Sequence, residues 1–209
     1  NGRRRQRQMC IRDRYMVSSG LIDRPDVSQY RLASHLGLAF VIYTLLIFIG
    51  WSLFQLNTMS PTQHKGKPNY LFKHFIFCYF LLFTTIISGA FVAGTDSGLI
   101  YNSFPLMGAN LYPDDIFTLK PFWLNFFENM STIQFNHRVL ATITCLFILY
   151  TAFRELRRQP EGYYKTILKL ILFFIVLQYF LGVTAVLHAV PFVIGITHQL
   201  GLSLIHISE

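Results

Sequence analysis

The chain has 209 residues, of which 53% are hydrophobic, 16% aromatic and only 13% charged, and its mean hydropathy is +0.41. Ordinary soluble domains carry about 25% charged residues, so this composition excludes a typical soluble enzyme or binding domain. We expect a membrane protein.

Four windows are apolar over most of the ~20 residues that a helix needs to cross ~30 Å of hydrocarbon. They are residues 34–56, 74–94, 132–153 and 166–188, and a fifth apolar window begins near Phe192. Because unpaired backbone groups are costly in lipid, we expect these windows to be helices packed as a bundle. The predicted fold is therefore an all-α polytopic membrane protein.

The two ends of the chain resemble artefacts of sequence assembly. RRQRQMCIRDR near the start and LSLIHISE at the end can be encoded by one DNA segment read in opposite directions, similar to the transposon end in sequencing-library adapters. We therefore leave out residues 1–14 and 202–209; a basic nucleic-acid-binding or targeting arm is the alternative. Without the six arginines, Asp13 and Glu209 of these segments, the net charge falls from +8 to +4.

Charge predicts the orientation of the helices. The connection between the first two spans carries Lys65, Lys67 and Lys73, and the connection between the third and fourth spans is also basic. The positive-inside rule places both on the inner side. The connection from 95 to 131 has four carboxylates against Lys120 and belongs on the other side, which we call the outer end.

Three histidines lie at matched depths in this arrangement. His35, His137 and His198 each follow the outer start of a span. At ~1.5 Å per residue, all three lie within roughly 10 Å of the outer interface. An imidazole inside a membrane is costly and usually functional, so the set predicts a cofactor site. A histidine hydrogen-bonded at the interface is the alternative.

His137 and His198 predict a haem site. Haem iron takes neutral imidazoles from two sides, and helix bundles supply them from facing helices. Arg138 has the geometry to bind a haem propionate, the alternative being an arginine that reaches to the interface. His188 lies in a turn before Pro191, and we interpret it as an interfacial residue.

Four blocks of the sequence together resemble one family. They are VSQYRLASHLGLAFVIY (27–43), ISGAFVAGTDSGLIYNSFPLMG (87–108), FENMSTIQFNHRVLATIT (127–144) and GVTAVLHAVPFVIGITHQLG (182–201). In order and spacing they are similar to heme A synthase of the mitochondrial and proteobacterial type. The resemblance covers nearly all of residues 20–201. It implies an eight-helix enzyme of two-fold pseudo-symmetry, in which each four-helix-bundle half presents a pair of histidines to a haem.

The resemblance also implies which parts are present. Residues 15–56 would hold the last helix of the N-terminal half, and residues 57–201 an incomplete C-terminal bundle that binds haem b. His137 and His198 would be ligands of the haem b iron, with Arg138 beside them. His35 would be an iron ligand at the catalytic site for substrate haem O. Its partner histidine and a glutamate would belong to helices one to three, which precede this segment.

The implied activity is that of an oxidoreductase. It oxidises the C8 methyl group of haem O to a formyl group by successive hydroxylations, which gives haem A for cytochrome c oxidase. This segment alone, with half of the substrate site, is expected to be inactive. The outer loop with Asp96, Tyr101, Asn102, Phe104 and Pro105 would cover the edge of haem b, the alternative being a structured turn.

The implied location is the mitochondrial inner membrane, with a bacterial plasma membrane as the alternative. The implied partners are the lipid bilayer, an electron donor protein, haem O synthase, assembly factors of cytochrome c oxidase and a second copy of the protein, but no nucleic acid.

A b-type cytochrome that only carries electrons is the competing function, because a pair of histidines serves it equally well. A transporter or channel is a third function, but the spans lack the charged, Gly- or Pro-broken helices that line such paths.

Overall fold

The computed structural model describes residues 28–58, 69–158 and 162–207. In these ranges the chain forms five long helices: α1 (Gln29–Thr58), α2 (Asn69–Gly94), α3 (Met130–Leu156), α4 (Gly162–Leu187) and α5 (Phe192–Ile207). The helical segments Gln29–Gly50, Lys73–Gly94, Met130–Leu156 and Gly162–Leu187 are long and apolar enough to cross a membrane. The prediction of an all-α polytopic membrane protein is confirmed.

The helices extend beyond the apolar windows, mainly at their starts. α1 begins at Gln29 and α4 at Gly162, whereas the windows begin at residues 34 and 166. Polar residues in these first turns continue the helix although they lower the hydropathy. Residues 1–14 lie outside the described residues, and α5 includes residues 202–207. The division of the chain at residue 56 into two halves stays a prediction.

Each helix packs against the helix that precedes it in the chain, which gives a serial antiparallel bundle. On α1, the buried side chains of Ala33 and Phe40 lie on the same face as Gly37. A Cβ at Gly37 would approach the Cδ1 of Ile87 on α2 to 2.9 Å. Small residues on this face therefore let α1 and α2 approach closely, as membrane helices do.

Large apolar side chains cover the outside of the bundle. Phe48 on α1 is 67% exposed and Phe173 on α4 is 61% exposed. In water such surfaces would aggregate, whereas lipid tails solvate them without cost. The pattern of exposure therefore agrees with a multi-pass membrane protein.

The outer connection, residues 95–129, is built around buried carboxamides. Asn125 is fully buried; its Oδ1 accepts from the N–H of Leu119, and its Nδ2 donates to the carbonyl of the same residue, both at 2.8 Å. Asn129 caps α3 by accepting from the N–H of Thr132 at 3.1 Å, and it donates to the carbonyl of Asp115 at 3.0 Å. These bonds fix where α3 begins, and therefore where His137 lies.

The start of α1 is joined to the same connection. The carboxylate of Glu128 accepts hydrogen bonds from the Tyr30 hydroxyl and from the side chain of Gln29. The outer ends of α1 and α3 are thereby held together.

Candidate functional site

His137 lies on α3, seven residues after Met130, and its ring faces α2. Its Nδ1 is 2.8 Å from the Oγ of Ser88. The Ser88 hydroxyl donates to the backbone carbonyl of Thr85, also at 2.8 Å. A serine hydroxyl carries one proton, so when that proton points to the Thr85 carbonyl, Ser88 Oγ accepts from Nδ1–H of His137. This tautomer leaves the Nε2 lone pair of His137 free to bind a metal.

Gly89, the next residue of α2, makes room for the same ring. A Cβ at Gly89 would lie 3.2 Å from the Cε1 of His137 and 3.8 Å from both ring nitrogens. The imidazole therefore rests on the bare backbone of α2.

His198 on α5 has a similar setting against α4. A Cβ at Gly182 would lie 2.9 Å from the Cε1 of His198. The Nε2 of Gln178, one turn earlier on α4, donates to the backbone carbonyl of His198 at 2.7 Å and lies 3.2 Å from its Nδ1. The Oε1 of Gln178 is buried and has no hydrogen-bond partner among the described residues. Each histidine thus has a glycine beneath its ring and a polar side chain at Nδ1.

His137 and His198 lie at comparable positions along their helices. His137 is seven residues beyond the start of α3, and His198 is six residues beyond the start of α5. At ~1.5 Å per residue both lie about 10 Å along their helices. Two histidines on different helices therefore lie at similar depths.

The other two outer histidines lie apart from this pair. His35 is exposed on α1, two residues from Ala33 and thus ~200° around the helix from the face that packs on α2. His188 is exposed at the turn between α4 and α5, and its Nδ1 donates to the carbonyl of Thr184 at 2.9 Å. His188 therefore caps its own helix, and the assignment of His35 to a separate haem stays a prediction.

Arg138 holds the outer connection. Its Nη2 donates to the carbonyl of Tyr101 at 2.6 Å, and its Nη1 donates to the carbonyls of Ser103 at 2.8 Å and Leu106 at 3.4 Å. Its Nε is buried without a hydrogen-bond partner in the described ranges. The guanidinium is thus bound mainly by backbone. Its predicted contact with a haem propionate stays a prediction.

Tyr101 is a second anchor of the outer loop. Its hydroxyl donates to Asp115 at 3.2 Å, and its carbonyl also accepts from the Nε2 of Gln134 at 3.0 Å. Burial, and then the neighbouring Asp115 carboxylate, raise the pKa of Tyr101, so its hydroxyl stays protonated as a donor. Residues 97–106 are therefore fastened to the outer part of α3, beside His137.

The donor set fits haem better than a bare metal ion. In the part of the chain that the structure describes, no group of three or more His, Cys, Asp or Glu side chains could hold a metal. Two imidazoles suffice for haem iron, because the porphyrin supplies its remaining nitrogen ligands. An imidazole held by an acceptor at Nδ1 and seated on a glycine, as His137 is, is arranged to bind a metal through Nε2.

Deeper between α3 and α4 lies an apolar groove of about 210 Å³. Leu149, Val176 and Phe180 are among its lining side chains. The hydroxyls of Thr142 and Tyr179 lie 3.0 Å apart at its edge. The groove between α3 and α4 is therefore largely apolar.

Sequence reasoning missed Ser88, Gly89, Gln178 and Gly182. Each had a detectable signal, because polar and small residues inside apolar spans mark contacts between membrane helices. Which histidine each residue serves depends on helix pairing, and only the structure gives that.

The chain matches the COX15-CtaA family, described as cytochrome oxidase assembly protein, over residues 14–208. It is 37% identical to the heme A synthase of Nitrosospira multiformis over 91% of this chain and 53% of that protein. It is 39% identical to the heme A synthase of Wolbachia pipientis wMel over 88% of this chain and 50% of that protein. It is 40% identical to human heme A synthase COX15 over 90% of this chain and 47% of that protein.

The chain spans about half the length of the curated relatives it matches. No solved structure matches it. The match covers nearly the whole chain, including both helix pairs that carry the histidine site, so this chain belongs to the COX15-CtaA family of cytochrome oxidase assembly proteins.

Proposed function

We propose that the protein containing this chain is a heme A synthase, an oxidoreductase that oxidises the C8 methyl group of haem O to a formyl group. Successive hydroxylations of that methyl group would give haem A for cytochrome c oxidase. The observation that carries the proposal is the pair His137 and His198, whose rings lie at similar depths on α3 and α5, each seated on a glycine. The curated relatives named heme A synthase support it.

The paired imidazoles would hold haem b. His137 would present Nε2 to the iron, while its Nδ1 is held by Ser88 on the neighbouring helix, and His198 would supply the second imidazole. Bound haem b supplies one-electron redox chemistry. Arg138 holds the outer loop beside His137.

Substrate haem O would bind at a separate place, with His35 as an iron ligand. His35 lies on the face of α1 turned away from α2, whereas His137 lies on the far side of α2. A helix is ~10 Å in diameter, so the two sites would be separated by at least that distance. Since His35 is the one proposed contribution of this segment to the substrate site, the segment alone would be inactive.

The membrane location and the partner proteins follow from the same proposal. We place the protein in the mitochondrial inner membrane, with a bacterial plasma membrane as the alternative. Its partners would be an electron donor protein, haem O synthase and assembly factors of cytochrome c oxidase, and it could act together with a second copy. Fractionation of the source cells, with detection of the protein in each membrane, distinguishes the two locations.

Incubation of purified full-length protein with haem O tests the activity. Under aerobic, reducing conditions we expect haem A, detected by mass spectrometry. Substitution of His35 by Ala should abolish this product and leave the haem b spectrum in place. If the wild-type protein binds haem b but forms no haem A, the competing function of a b-type electron carrier replaces the synthase.

A further inference from the structure

We infer that Ser88 is a positioning residue for the haem b iron, because its hydroxyl oxygen accepts the Nδ1 proton of His137 and thereby fixes the ligand tautomer. This inference rests on the proposed ligation of haem b by His137. Ser88 lies on α2 and touches neither iron nor substrate, so it acts through the imidazole alone.

The direction of the hydrogen bond follows from counting protons. The backbone carbonyl of Thr85 can only accept, so the Ser88 proton points toward it across 2.8 Å. The Ser88 oxygen then faces His137 Nδ1 at 2.8 Å with lone pairs only. Nδ1 must carry the proton of the neutral ring, which leaves Nε2 as the metal ligand.

Packing keeps Ser88 in this position. The hydroxyl oxygens of Thr85 and Thr144 lie 2.7 Å apart, about one turn deeper between α2 and α3, which keeps the two helices in register. Gly89 lets the ring approach the α2 backbone. The imidazole is therefore held by two adjacent residues of α2, at Nδ1 by Ser88 and at Cε1 by Gly89.

An acceptor at Nδ1–H makes Nε2 more basic and holds the ring in one orientation. A more basic imidazole favours ferric over ferrous iron. Loss of the Ser88 oxygen should therefore weaken haem binding and raise the midpoint potential of haem b, while His137 still ligates.

The experiment uses purified full-length protein and its Ser88→Ala, Ser88→Cys and Ser88→Thr variants. Haem affinity is measured by haem titration, and the midpoint potential by spectroelectrochemistry. The control is Thr84→Ala on the same helix, whose hydroxyl donates to the carbonyls of Phe80 and Leu81 of that helix.

In Ser88→Ala we expect a low-spin bis-imidazole spectrum with haem affinity lowered ~10- to 100-fold. If only the binding of ferric haem weakens, each tenfold loss of its affinity raises the midpoint potential of haem b by about 59 mV. Ser88→Thr should retain the wild-type values because it keeps the hydroxyl. Ser88→Cys, with a weaker acceptor of similar size, should fall between Ala and wild type even if the Ala variant is poorly expressed.

Equal affinity and potential in Ser88→Ala and Thr84→Ala would overturn the inference. The variant His137→Ala separates this failure from failure of the proposed site. If His137→Ala keeps the low-spin spectrum, the ligand assignment itself is wrong. If His137→Ala loses that spectrum while Ser88→Ala matches the control, only the role of Ser88 is wrong.

Discussion

Gly182 and His198 touch across the interface of α4 and α5, so closely that a Cβ on the glycine would lie 2.9 Å from the imidazole Cε1. Cβ atoms do not approach carbon atoms this closely, and any side chain at residue 182 must displace the ring. Gly89 and His137 repeat the relationship between α2 and α3 at 3.2 Å. Glycines on neighbouring helices therefore set the positions of both imidazoles.

We expect Gly182→Ala to lower the haem content of the purified full-length protein. The added methyl group displaces the His198 ring, and a ligand moved by a few tenths of an ångström binds iron less well. Haem per protein, measured by absorbance, should fall. Gly89→Ala should lower the haem content less, because a Cβ at Gly89 would lie 3.2 Å from the His137 ring, compared with 2.9 Å between Gly182 and the His198 ring.

The matched control is Gly50→Ala on α1, where a Cβ would meet nothing within 4 Å. This variant should keep its haem, since alanine is the better helix residue by roughly 0.5–1 kcal/mol. Equal haem content in Gly182→Ala and Gly50→Ala would contradict the proposed role of the glycine.

Replacing either ligand should remove the low-spin bis-imidazole spectrum. His137→Ala and His198→Ala each leave one axial position of the proposed haem b without its imidazole. His35→Ala, on the other face of α1, should keep that spectrum. Optical and electron paramagnetic resonance spectra of the three variants check this, and an unchanged low-spin signal in His137→Ala or His198→Ala would refute the pair.

Arg138→Gln should loosen the outer loop. The guanidinium donates to the carbonyls of Tyr101, Ser103 and Leu106, and hydrogen bonds from a charged donor contribute ~1.5–3 kcal/mol. Amide hydrogen exchange in residues 97–106 should accelerate by about 10- to 100-fold, because 1.4 kcal/mol corresponds to a factor of ten. Arg138→Lys should not restore protection, since an ammonium lacks the planar fork.

Arg157→Gln is the control for this measurement. Arg157 is exposed beyond the end of α3 and stacks on the ring of Phe153, far along the helix from the outer loop. Its removal should leave exchange in residues 97–106 unchanged. If Arg138→Gln also leaves exchange unchanged, the arginine does not hold the loop.

Asn129→Ala should destabilise the fold. It removes the cap of α3, worth about 1 kcal/mol, together with the bond to the Asp115 carbonyl. For a protein of this size, each kcal/mol lowers Tm by about 2–4 °C. Thermal unfolding in detergent measures the change. Asn102→Ala, at an exposed residue with one long bond to the Leu99 carbonyl, should change Tm much less.

The sequence predicted the helices because hydropathy and membrane thickness together leave few other structures for such a chain. It also predicted the matched depths of His137 and His198, since depth follows from rise per residue along a regular helix. Both predictions depend on local periodicity, which a single chain displays directly.

What the sequence by itself determined is therefore the set of spans and which imidazoles lie at similar depths, while the orientation of the spans stays a prediction. Only the tertiary structure decided which surfaces those imidazoles meet: Ser88 and Gly89 for His137, Gln178 and Gly182 for His198. It also showed that Arg138 binds backbone carbonyls of the outer loop. These contacts join residues 16 to 49 positions apart. They depend on the rotation and register of helix pairs, which the hydropathy along one helix does not show.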